Sequence, residues 1–149
     1  MADHANGSNR GIQILVVGVL TLLFFGGIIA ATAYLTVKDQ REMPGMRAAG
    51  EAYLSALVRG DTGASYDLLC KRDRREATRA TWNPYQDRSN PPTGFRITDV
   101  EIDRPEGAGA YGHRTVTAEV TRARYTSSEA TLTVEKQDGV WKVCRPPAL

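Results

Sequence analysis

The chain has 149 residues, enough for one domain plus an appendage, and its 42% hydrophobic but only 7% aromatic content implies an aliphatic core. Its formal net charge is +2, and the first 37 residues hold one charge of each sign, Arg10 and Asp3, so the balance hides no basic half. A balance this even excludes nucleic-acid binding driven by a strong positive field.

Residues 1–11 read as a short cytoplasmic tail. From Ile12 to Val37 there is no Asp, Glu, Lys or Arg over 26 residues. As a helix this run is about 39 Å long, against a hydrocarbon core of about 30 Å. Gln13 and Tyr34 stand near its two ends, where polar tips reach an interface, and Gly26-Gly27 is tolerated in a span. The segment 12–37 is therefore expected to be a transmembrane helix, a signal anchor whose partner is the lipid bilayer. The alternative is a signal peptide cleaved near Ala33, after "ATA", with secretion of the rest. The apolar run exceeds the ~7–15 residues usual for such a peptide. Arg10 on one flank faces Lys38, Arg41 and Arg47 on the other, which by count favours the C-terminal side inside. That rule weakens when a long domain follows.

Residues 38–45 read as a charged linker, and Pro44 suits the first turn of a new helix. In "PGMRAAGEAYLSALVRG", Met46, Ala49, Tyr53, Ala56 and Leu57 recur at spacings of three and four, the stripe of an amphipathic helix. Gly60 ends it and Asp61 caps a second helix, "DTGASYDLLC", which carries Ala64, Leu68 and Leu69 inward and ends at Cys70. A third, charged helical stretch follows in "RDRREATRATW". "NPYQDRSNPPTG", residues 83–94, is a loop by its prolines. Beyond it the period becomes two. Phe95 and Ile97 alternate, then Val100 and Ile102 after a shift. Val116, Ala118 and Val120 follow, then Ala130, Leu132 and Val134, and finally "GVWKVC". Asp138-Gly139 predicts a tight hairpin turn. The expectation is α+β: two or three helices on an antiparallel sheet of about four strands, one face Thr- and Arg-rich and wet.

Cys70 and Cys144, with 73 residues between them, make neither a CxxC pair nor a four-ligand zinc site, and His4 and His113 are the only histidines. Two readings remain, two buried free thiols or one disulfide. If the second helix lies on the sheet the sulfurs can meet, and closing so long a loop would contribute roughly 4 kcal/mol. The disulfide is the expectation, and with it an extracytoplasmic C-terminal domain.

The run "AAGEAYLSALVRGDTGASYDLLC" and the closing "VEKQDGVWKVC", with its G-x-W-K-V form, resemble nuclear-transport-factor-2-like domains. Closest are the lumazine-binding-like proteins that actinobacteria place behind a membrane anchor or signal peptide. The resemblance covers roughly residues 46–149. It implies a curved sheet forming a cone around helices, often with an apolar pocket, and in many relatives a homodimer. The superfamily's enzymes carry Asp/His or Tyr/Asp groups inside the cone, and no such set aligns here. The fold by itself selects no function.

Candidate chemistry is sparse. His113, beside Gly112, reads as a solvated turn residue; Asp61 as a cap; Asp67 as a surface residue; Ser55 and Ser65 lie in no nucleophile elbow. Asn6-Gly7-Ser8 matches a glycosylation sequon but precedes the span. "KRDRREATR", residues 71–79, is a basic patch that could meet anionic lipid but reads better as a solvated helix face. Tyr53, Tyr66, Trp82, Tyr85 and Trp141 are the candidates for a pocket or contact site, with Trp82 and Tyr85 favoured as exposed contacts. No catalytic, cofactor or metal residue is expected. The function expected is a non-catalytic interaction or accessory module of the cell envelope, with an envelope protein as partner. The alternatives are a small apolar ligand in the cone pocket and an isomerase- or dehydratase-like enzyme.

Overall fold

A computed structural model describes residues 6–85, 87–104, 112–124 and 126–149, with side chains from Ile14 onward in the first helix. The elements run α1 (Asn6–Val58), α2 (Thr62–Asp67), α3 (Asp73–Glu76), β1 (Pro92–Asp103), β2 (His113–Arg122), β3 (Ser127–Gln137) and β4 (Val140–Cys144). The sequon at Asn6-Gly7-Ser8, His4 and the flanking Arg10 and Gln13 lie outside the described side chains. The chain forms two compact units, Met1–Gln40 and Arg41–Leu149.

In the first unit, every side chain from Ile14 to Val37 is exposed. The apolar stretch has a mean hydropathy of 2.7 and none of it is buried by protein. Such a surface fits a transmembrane anchor or a signal sequence. Its threonines need no water: Thr21 Oγ1 donates to Val17 O at 2.8 Å and Thr36 Oγ1 to Thr32 O at 3.0 Å.

In the second unit, the apolar stripe is buried as its spacing requires: Met46, Tyr53, Ala56 and Leu57 are at most 1% exposed and Ala49 is 8% exposed. It packs on one face of an antiparallel sheet ordered β1-β2-β3-β4. That face is built by Val116 opposite Leu132, Ala118 opposite Ala130 and Val134 opposite Val143. The backbones come close at Gly50, where a Cβ would stand 2.7 Å from Val116 Cγ1. The other face is polar, with Thr117 across from Thr131 and Arg96 paired to Glu119 at 2.8 Å. The shift in β1 is a bulge between Ile97 and Asp99, which restores the inward side chains to register. Asp138 (φ 52) and Gly139 (φ 83) make the primed hairpin turn.

Three expectations are corrected. Pro44 does not begin a helix. α1 runs through the segment 38–45, although Pro44 supplies no N–H. Packing overrides the local preference there: Glu42 accepts from Arg114 Nε at 3.2 Å, and Gly45 lies against Trp141. The second helix stops at Asp67, because Leu68 O and Cys70 N bond instead to the Val143 N–H and C=O, at 3.0 and 2.8 Å. The third helix is a single turn of four residues, and Ala77 is already extended.

Candidate functional site

Two places gather the candidate residues. The first is a cluster around the cysteines. The Leu69–Val143 bridge draws the chain after α2 alongside β4, so Cys70 comes beside Cys144. Both are fully buried. The expected pairing is found as proximity and not as a bond: both thiols are free. Their sulfurs and a carboxylate oxygen of Asp73 all lie within 4.8 Å of one another. Asp73 is 6% exposed, so its charge needs partners. Cys70 Sγ donates to its Oδ2 at 3.1 Å and the Arg145 N–H at 2.7 Å, while Arg72 Nε lies 3.7 Å from Oδ1. Arg145 takes φ 46 to aim that N–H, an uncommon conformation for a residue other than glycine. Burial, then the neighbouring Cys70 and Glu135, pushes the Cys144 thiol well up, so it is neutral.

Two sulfurs and a carboxylate so close have the donor types of a zinc site. The Arg72 guanidinium beside the same carboxylate offers the positive charge that an ion would otherwise supply. Asp73 escaped notice in the sequence because it lies in a run of basic residues that reads as solvated. Lys71 in that run behaves as the sequence suggests, pairing with Asp138 at 2.6 Å in the open.

The second place is an open cleft of about 830 Å³ beside the end of α1, walled by residues from 79–85 and 88–93. Trp82 and Tyr85 both line it. Neither is fully exposed as expected. Their polar tips are anchored inward, Trp82 Nε1 donating to Ser65 Oγ at 2.9 Å and Tyr85 Oη to Leu57 O at 2.9 Å. The Pro-rich segment is thus a fastened wall. Leu149 N donates to Pro84 O, and the Arg124 N–H donates to Asn90 Oδ1. Burial first, and Asp61 second, raises the Tyr85 phenol above its ordinary value, so it stays a donor.

The other three aromatic candidates are elsewhere. Tyr53 is a core residue, fully buried, and among the described residues its hydroxyl has no hydrogen-bond partner. Trp141 packs against α1 at Gly45, flanked by the cations of Arg114 and Lys136 at 5.9 and 5.8 Å. Tyr66 donates to Arg74 O at 3.2 Å beside a shallower hollow. Asp61 caps α2 through the Ala64 N–H at 2.8 Å, Asp67 is exposed, and His113 is exposed at the start of β2. Ser65 is buried and donates to Thr62 O while accepting from Trp82, a structural role. What the sequence did not reveal is that Arg59, Arg79 and Arg88 converge on this cleft.

No family model, no curated protein and no solved structure matches the chain.

Proposed function

We propose that the protein is a single-pass membrane protein whose C-terminal unit is an extracytoplasmic, non-catalytic interaction module of the cell envelope. In this reading the chain contacts its partner through the Trp82–Tyr85 cleft, and Cys70 and Cys144 are joined in the oxidising space. The observation that carries it is the cleft, a preformed concave surface with two anchored aromatic rings. The adjacency of the sulfurs supports the compartment, since a thiol pair brought so close is ready to be oxidised there. The order of helices followed by a four-stranded meander keeps the likeness to nuclear-transport-factor-2-like domains as part of the proposal. A ligand buried in the middle of a cone is less favoured, because Met46, Tyr53, Leu54 and Leu57 already fill the helix–sheet interface.

Three measurements test the reading. Thiol labelling of intact cells, with and without prior reduction, should modify neither cysteine before reduction. Labelling by a cytosolic reagent without reductant would overturn the placement. Correspondingly, Cys70→Ser should lower stability by about 4 kcal/mol in oxidising buffer and by much less in reductant. A photo-crosslinking side chain at Ala80, in the cleft, should give a discrete adduct in cells, whereas one at exposed Glu129 on the sheet should not. Equal adducts at both would remove the cleft from the proposal.

A further inference from the structure

Among the described residues, the walls of the cleft carry three arginines and no aspartate or glutamate. Arg79 is committed: its two terminal nitrogens meet Asp67 at 3.1 and 3.0 Å. It lies against α2 at Gly63, where a Cβ would stand 2.9 Å from Arg79 Nη2. Arg59 and Arg88 are different. Both are exposed, and among the described residues neither has an ion pair or a side-chain hydrogen bond. Of the acids nearby, Asp67 is paired with Arg79, while Asp61 accepts from the Ala64 N–H and Asp87 from Ser89 at 2.8 and 2.7 Å, and neither of these two pairs with Arg59 or Arg88 among the described residues. Three carbonyls of the last turn of α1, which would repel an anion, are also hydrogen-bonded. Ser55, Ala56 and Leu57 O accept from the N–H groups of Arg59, Asp61 and Gly60 in turn.

We propose that the cleft binds a small organic anion, its phosphate or carboxylate group held by Arg59 and Arg88 and its flat part lying against Trp82. The inference rests on the cleft reading above and gives it a ligand class. Guanidinium groups present a planar fork of donors that matches the two oxygens of a carboxylate or phosphate. Since the tips of Trp82 and Tyr85 are bonded inward, what remains for a ligand is ring surface, to which planar or apolar groups adhere. A volume of about 830 Å³ lies within the range of small-molecule sites and far exceeds a lone inorganic ion. Pro91 and Pro92 restrict the backbone of the wall they line.

The test uses the full chain in nanodiscs of zwitterionic lipid, titrated calorimetrically with phenyl phosphate, benzoate and phenol. Phenyl phosphate should bind at least about tenfold more tightly than phenol, and rising salt should weaken it. The double variant Arg59→Ala/Arg88→Ala should weaken it about tenfold or more while the melting temperature stays put, because neither side chain holds another part of the fold. Repeating the titration in nanodiscs with phosphatidylglycerol separates two sources of the same chemistry. Competition supports a lipid headgroup, and undiminished binding supports a free anion. Equal affinity for phenol and phenyl phosphate would overturn the anion site and leave the cleft as a contact surface. An unchanged affinity in the double variant, or no binding of any probe, would also overturn it, and the crosslinking at Ala80 would then judge the cleft separately.

Discussion

The two halves of α1 have the same backbone and opposite surroundings. From Ile14 to Val37 all sides are apolar and all are exposed, whereas from Met46 to Val58 one stripe is buried and the rest faces water. Glycines make the contrast concrete. A Cβ at Gly26 or Gly27 would meet nothing within 4 Å, but one at Gly50 would press into Val116. A helix apolar all round matches a solvent that is apolar all round, while a striped helix matches a sheet on one side. Helical periodicity thus reports what surrounds each turn rather than the helix itself.

The sharpest break in that comparison would come from a charge. Leu22→Arg should cost about 3.5 kcal/mol of membrane insertion, read as the fraction of chain resistant to carbonate extraction, whereas Arg47, on the outer side of the second half, already carries such a charge in the open. Next in size, Leu54→Ala should destabilise the second unit by about 3 kcal/mol in denaturant titration, because Leu54 is 1% exposed within the core cluster. Gly50→Ala should cost about 2 kcal/mol through overpacking against Val116, and Gly27→Ala should be neutral. If the two glycine variants behave alike, the close approach of helix and sheet is wrong. The smallest effect is electrostatic. The fold holds the Cys144 thiol neutral, so its folded pKa is raised and the unfolded thiol ionises first. The reduced protein should therefore lose stability as pH rises above about 9, by up to about 1.4 kcal/mol per unit from this thiol, and Tyr53 adds the same sign from about pH 10. Oxidation to a disulfide would remove the cysteine contribution, leaving a shallower pH profile.

Much of the second unit was readable locally. Met46, Ala49, Tyr53, Ala56 and Leu57 announced their helix face, and the broken alternation from Ile97 to Val100 announced the bulge. Asp138-Gly139 fixed its turn because only residues tolerant of positive φ make a two-residue hairpin loop. Local signals failed where distant partners outbid them. Leu68–Cys70 has a helical pattern but bonds to Val143, and Pro44 has the mark of a helix start but is held inside α1 by Arg114 and Trp141 around it.

The amino-acid sequence alone determined an uncharged span, the striped helix and the sheet's inner face, since each is written in the spacing of neighbours along the chain. Only the tertiary structure decided that Asp73 is buried beside both sulfurs and that Arg59 and Arg88 share a cleft with Trp82 and Tyr85. The physical reason is that a cluster is a property of distances in space. A charged residue in a polar run looks the same whether it will be solvated or enclosed until the chain around it has closed.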